Sequence, residues 1–305
     1  MPRRPLAAIA TNLIMGFLGV GKTTAILHLL AHKPANERWA VLVNEFGQVG
    51  IDGAILAGHG AVVRQVPGGC MCCAAGVPLQ VAVNRLLREA RPDRLLIEPS
   101  GLGHPRRILA TLADEHFRTV LDLRANLCLV DPRKLADSRY TSHEHFVDQI
   151  QLADVLVANK TDLATPADLQ RFDAWAAGCE PDKTVVARVI QGRLDPAWLD
   201  LPRHPHRPPA DTAPRLRESG YRSLGWTFPA ETVFDHGRLC AWIEHTAPER
   251  FKGVIRTEQG WFVVNYSDGR LHLLPTRPRG DSRLELLGRR LAADEAELLA
   301  CRRDT

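Results

Sequence analysis

Long apolar runs are missing from this 305-residue sequence, and none approaches the ~20 residues that a membrane-spanning helix needs. No transmembrane segment is therefore expected. The basic start, Met1-Pro2-Arg3-Arg4-Pro5, has no clean apolar stretch behind it, because Thr11 and Asn12 interrupt the run; a cleaved signal peptide is not expected either. No stripe of arginines interleaved with aromatics is present, and the net charge is only +4, so nucleic-acid binding is not indicated. Cysteines are few, seven in all, and three of them crowd into residues 70–73. That distribution does not suit a disulfide framework. It suits a reducing, cytoplasmic setting and metal or thiol chemistry. Internal repeats are absent too. What remains, 45% apolar and 24% charged, is ordinary for a globular chain with room for one large domain or two smaller ones.

The strongest signal is Gly16-Phe17-Leu18-Gly19-Val20-Gly21-Lys22-Thr23-Thr24, of the form G-x-x-x-x-G-K-T. It follows the apolar run Leu13–Met15 and opens a helical pattern, the context a phosphate-binding loop needs. Gly16, Gly19 and Gly21 let the backbone curl until the N–H groups of the loop, Val20 and Thr24 included, surround phosphate oxygens. The helix start adds partial positive charge. Lys22 reaches the terminal phosphates, and the Thr23 hydroxyl is a ligand for Mg²⁺.

From residue 10 to 190, short apolar runs alternate with helical patterns. The runs are Leu13–Met15, Trp39–Val43, Ala61–Val66, Leu95–Ile97, Leu127–Val130, Val155–Ala158 and Val185–Ile190. Pro78–Ala90 reads as an amphipathic helix. This alternation predicts an α/β fold, a doubly wound and mostly parallel sheet of the P-loop type with ligands at the carboxyl ends of its strands. Residues 195–219, with six prolines, read as an extended linker between a domain spanning 1–194 and a small α+β domain spanning 220–305.

Three further motifs fall at predicted strand ends. Asn159-Lys160-Thr161-Asp162 places a carboxylate where it can accept from guanine N1–H and the exocyclic amine, which adenine cannot match. Asn159 is expected at the purine N7 edge, and the Lys160 stem over the base plane. Glu98-Pro99-Ser100-Gly101 has the form E-x-x-G. Glu98 is expected to hold Mg²⁺ through water, and the Gly101 N–H to face the γ-phosphate. A strand end with an exposed carboxylate is the alternative. No residue stands out as the group that positions the attacking water. Gly68-Gly69-Cys70-Met71-Cys72-Cys73 gathers three thiols suited to Zn²⁺, Cu⁺ and similar ions, with a fourth ligand from elsewhere or from water. A redox pair would be better signalled by C-x-x-C.

Taken in order with Asn44-Glu45-Phe46-Gly47, Ser100-Gly101-Leu102-Gly103-His104-Pro105 and His145-Phe146-Val147-Asp148-Gln149-Ile150, these motifs resemble the CobW family. Its members are metal-trafficking P-loop GTPases related to the nickel chaperones of urease and hydrogenase. The resemblance implies GTP/GDP and Mg²⁺ at the loop, and Zn²⁺ or another transition metal such as Co²⁺ at Cys70, Cys72 and Cys73. It also implies a nucleotide-sensitive switch in which Glu45 is a metal ligand or switch residue. The sequence departs from the family in keeping only His204-Pro205-His206 of a histidine-rich tract. His104, His143 and His145 are read as helix-start polar residues, with Thr141 or Ser142 as the cap before Glu144. The expectation is a cytoplasmic GTPase that delivers a transition metal, zinc first, to a metal-requiring client protein, with a homodimer compatible. A GTP- and metal-sensing regulatory module, or a cobalt-handling protein of cobalamin synthesis, would carry the same motifs.

Overall fold

The computed structural model describes residues 8–43, 61–65, 77–101, 105–204, 222–267, 269–288 and 295–303. They fall into two compact units, the first within residues 8–204 and the second within 222–303.

The first unit is built on eight strands. They are β1 (Ile9–Gly16), β2 (Trp39–Val43), β3 (Val62–Gln65), β4 (Arg94–Glu98), β5 (Leu121–Leu123), β6 (Leu127–Val130), β7 (Val155–Ala158) and β8 (Val185–Arg188). Every pairing is parallel, in the order β3-β2-β4-β1-β6-β7-β8. The short β5 pairs with the first half of β1 before β6 takes over its second half. β2, β4, β6 and β7 are buried at every position. Successive side chains on a strand point to opposite faces, so unbroken burial means that both faces are covered. The helices of this unit are α1 (Lys22–Ala31), α2 (Val77–Ala90), α3 (Pro105–Leu112), α4 (Glu115–Arg118), α5 (Ser138–Thr141), α6 (Glu144–Leu152) and α7 (Pro166–Ala177). On α2 the buried residues are Leu79, Ala82, Val83, Leu86 and Leu87, one face of a helix. The architecture is the doubly wound P-loop arrangement that the β-α alternation implies. Among the described residues no helix is long and apolar enough to cross a membrane.

The proline-rich stretch is not extended throughout. Pro196–Asp200 forms a 3-10 turn capped by the Asp195 side chain, and Leu199 is buried at 1% exposure. An Asp before a Pro is a helix-start signal that composition alone conceals. The first ten residues assigned to the linker, 195–204, therefore belong to the first unit. They are fastened there by Arg94, 7% exposed, which donates to Asn12 Oδ1 (2.9 Å) and to the Leu199 carbonyl (3.1 Å). Its guanidinium also pairs with Asp200 and lies 5.3 Å from the Trp39 ring centroid. Asn12 completes the network by donating to the Ala125 and Leu199 carbonyls. Arg94→Ala leaves the buried Asn12 Oδ1 without its donor and removes the packing on Trp39, and an expected loss of roughly 2–4 kcal/mol follows. Thermal melts followed by circular dichroism read this loss directly, and an unshifted melting temperature would show that the network holds nothing.

The second unit is a five-stranded antiparallel sheet, ordered β12-β11-β10-β13-β9. Its strands are β9 (Arg222–Pro229), β10 (Arg250–Thr257), β11 (Gly260–Ser267), β12 (Arg270–Pro275) and β13 (Asp281–Gly288). Helices α8 (His236–Thr246) and α9 (Glu295–Ala300) complete it. Phe251, Ile255, Leu284 and Leu286 alternate onto one face and meet Leu239, Trp242, Ile243 and Leu298 in a single apolar cluster. This is the small α+β domain expected from the sequence.

Candidate functional site

Because the strands of the first sheet run parallel, Gly16, Glu98, Val130 and Ala158 all end at the same side, and the motif residues converge there. Between β1 and α1 the chain curls with positive φ at Gly16, Gly19 and Gly21. Gly21 is the helix N-cap, at φ 102°, and a Cβ there would stand 2.5 Å from Asn159 Nδ2. Only glycine fits that approach. Among the described residues no side chain caps α1, and its first turn holds no acidic residue, an arrangement that suits an external anion at the positive end of the helix. Lys22 is 5% exposed, and its ammonium donates to the Gly16 carbonyl (3.0 Å) and the Phe17 carbonyl (3.3 Å). Its position is thus fixed by the loop it serves. Thr24 is exposed, while Val20 is buried.

Thr23 and Glu98 meet. The Thr23 hydroxyl donates to Glu98 Oε1 at 3.1 Å, with Oε2 at 3.4 Å, and the carboxylate is 3% exposed. Glu98 is therefore not a solvated strand end. A hydroxyl and a carboxylate beside the phosphate loop are the hard oxygen donors that Mg²⁺ takes. Gly101 packs on the loop from this side. A Cβ there would lie 2.8 Å from the Leu18 nitrogen and 2.9 Å from the Phe17 carbonyl carbon. Its own carbonyl accepts a hydrogen bond from Gln149 Nε2 on α6, at 3.1 Å.

Asn159 has a structural role that the sequence does not suggest. It is 2% exposed, donates from Nδ2 to the Val20 carbonyl (2.8 Å) and accepts at Oδ1 from the Gly192 N–H (2.9 Å). The side chain ties the phosphate loop to the turn after β8, and the second hydrogen of its amide nitrogen remains for the purine edge. Lys160 caps the short 3-10 turn Thr161–Leu163 in a left-handed conformation. Its ammonium lies 3.8 Å from Asp131, a buried carboxylate that Arg133 also grips at 2.6 Å. Asp162 is exposed in that turn, so its carboxylate is available to a ligand. The turn after β8 was not singled out from the sequence. Val189 O accepts from the Thr161 hydroxyl at 3.0 Å, so this turn walls the Asn159–Asp162 segment. The only local signal for it is Gln191-Gly192, two residues with positive φ.

His143 and His145 stand at the start of α6 as read from the sequence, but the cap is not the expected one. His143 is itself the N-cap of α6, its Nδ1 accepting from the His145 N–H at 3.3 Å. Neither Thr141 nor Ser142 fills that place; the Thr141 hydroxyl turns back to Ser138 O within α5. The His143 ring meets Phe17 of the phosphate loop at 5.0 Å, and His145 is buried at 4% exposure. Among the described residues no group of three or more His, Cys, Asp or Glu side chains could hold a metal ion. Glu45, Cys70, Cys72, Cys73 and His104 lie outside the described residues. The flanking strands are informative nonetheless. Val43 at the end of β2 is the register partner of Glu98 on one side and of Gln65 on the other. β2 and β3, the strands that precede the Glu45 and thiol segments in the chain, thus end level with each other, and β2 ends beside Glu98.

The CobW/HypB/UreG nucleotide-binding domain matches residues 10–187, and the cobalamin synthesis protein cobW C-terminal domain matches 224–302. The chain is 46% identical over 303 residues to zinc chaperone YeiR of Escherichia coli (strain K12), covering 91% of this chain and 92% of that one. It is 32% identical over 219 residues to zinc chaperone CobW of a Sinorhizobium species, covering 63% and 62%. The crystal structure of Zn(II)-bound YjiA GTPase from E. coli covers 97% of this chain and 99% of its own at 21% identity. The TM-score is 0.47.

Proposed function

The chain belongs to the CobW/HypB/UreG family of P-loop GTPases, and from that premise we propose that it is a metallochaperone. It binds a transition metal at Cys70, Cys72 and Cys73 and delivers it, under control of GTP hydrolysis, to a metal-requiring client protein. Zinc is the cargo we assign, because the relatives at 46% and 32% identity are zinc chaperones and thiolates suit it. The setting is cytoplasmic, where thiols stay reduced.

Lys22 and the loop N–H groups hold the phosphates, Gly101 faces the γ-phosphate, and Asp162 selects guanine. Thr23 and Glu98 would hold Mg²⁺, which when bound neutralises charge on the transferring phosphoryl group. The observation that carries the coupling is the register of β2. Val43 pairs with Glu98, and the Glu45 segment begins two residues later. A change at the γ-phosphate is thereby adjacent in the sheet to the strand that leads in sequence to the switch, and through β3 to the strand that leads to the thiol segment. The second unit would choose the client.

Zinc transfer to an apo acceptor tests this reading. Transfer should be faster with GTP than with a non-hydrolysable analogue, and equal rates would leave a metal-sensing module instead. Nucleotide choice is tested separately. Asp162→Asn should weaken GTP binding by about 1.5–3 kcal/mol, the worth of a charge-assisted hydrogen bond, with little change for ATP. Competition binding measures it, and equal wild-type affinities for ATP and GTP would remove the guanine assignment.

A further inference from the structure

We propose that Gln149 is a positioning residue for GTP hydrolysis: its buried amide fixes the turn at Gly101 that is presented to the γ-phosphate. The inference rests on the assignment of Gly101 made above.

Gln149 is 1% exposed on α6, and its Nε2 donates to the Gly101 carbonyl across 48 residues of sequence. On its other side Gly101 lies against the backbone of Phe17 and Leu18, with no room for a Cβ. The turn is therefore held from two directions, by the phosphate loop and by α6. Helix α6 is itself tied to the elements around the turn. Asp148 accepts from Arg106 Nε at 2.9 Å, and Gln151 accepts from the same guanidinium, which joins α6 to α3, the next helix after the turn. Phe146 meets Tyr140 at 4.8 Å, and Tyr140 meets Phe17 of the phosphate loop at 5.2 Å. A displacement of the loop or of α3 is thus felt where Gln149 sits.

Packing alone does not account for the amide. Its Oε1 has no partner among the described residues, so burying it carries a desolvation cost that a leucine of similar volume would avoid. What the amide supplies and leucine cannot is the donor aimed at Gly101. A fixed turn matters because hydrolysis is sensitive to small displacements of the groups around the reacting phosphate.

Gln149→Leu keeps the volume and removes the donor. Its kcat should fall by about tenfold or more, while KM and GDP affinity stay within about threefold of wild type. Gln149→Glu supplies a second readout. As a carboxylate it faces the Gly101 carbonyl with no proton to donate, and turnover should be low at pH 8. Burial raises a carboxyl pKa, so lowering the pH yields the neutral acid, whose O–H can donate to Gly101. The ratio of variant to wild-type turnover should then climb, whereas the same ratio for Gln149→Leu stays flat. Gly101→Ala, measured beside them, should lose affinity for a GTP analogue more than for GDP. If it loses both equally, the γ-phosphate assignment fails. If Gly101→Ala discriminates but Gln149→Leu turns over at the wild-type rate, or the Gln149→Glu ratio ignores pH, the positioning role is overturned. Should Gln149→Leu not fold, the Gln149→Glu ratio decides alone.

Discussion

Alanine at position 22 is expected to lower GTP turnover by about a hundred- to a thousandfold or more, the scale seen when one preorganised electrostatic donor is removed. Lys22 is not a flexible surface lysine that a neighbour could replace. It is buried, and the Gly16 and Phe17 carbonyls hold its ammonium at the floor of the loop. Truncation removes the charge that faces the terminal phosphates and leaves two loop carbonyls without their donor. Nucleotide affinity should fall along with kcat. Lys22→Arg should not rescue, since a planar guanidinium cannot occupy the place of a compact ammonium between those carbonyls. Phosphate release under single-turnover conditions, with melting curves to verify the fold, measures the effect. A variant that turns over within threefold of wild type would remove the loop from the chemistry.

The second large effect concerns the cargo. Cys72→Ser together with Cys73→Ser should weaken zinc binding by about a hundredfold or more, because even outer partners of a metal ligand are worth 10–100-fold and these are proposed ligands. Serine keeps the size of cysteine and loses the soft, ionisable sulfur. The thiols must be deprotonated to bind, so wild-type affinity should decline as the pH is lowered, with protons released on uptake. The fold should survive, since residues 70–73 fall in the chain between β3 and α2 and none of the described core residues is among them. Competition against a chromophoric chelator reads the affinity. Unchanged binding in the double variant would assign the metal to other residues.

The sequence made some of this visible and concealed the rest for physical reasons. Glycine spacing and the following helix pattern marked the phosphate loop, because few residues tolerate a positive φ at Gly16, Gly19 and Gly21. Apolar runs marked β2, β6 and β7 because strands covered on both faces have little room for polar residues. β5 went unseen because Leu121-Asp122-Leu123 is three residues long with a carboxylate at its centre. The 3-10 turn at Pro196–Asp200 was hidden by proline content, although the Asp195 cap marks its start. Long-range partners are the third class. That Asn159 holds Val20 and Gly192, and that Gln149 holds Gly101, depends on contacts tens of residues apart that no local pattern encodes. His143 could have been read as a cap only by allowing a ring nitrogen to serve where Ser or Thr is usual.

The central claim is that nucleotide state and metal affinity are coupled. Calorimetric titration of zinc into the protein free of nucleotide, bound to GDP and bound to a non-hydrolysable GTP analogue tests it most directly. The account requires the metal affinities to differ between the GDP and GTP-analogue states by roughly 5- to 150-fold, a coupling of about 1–3 kcal/mol, with zinc shifting nucleotide affinity by the same factor. Equal zinc affinity in all three states would contradict it, and the GTPase site and the thiol cluster would then be independent devices on one chain.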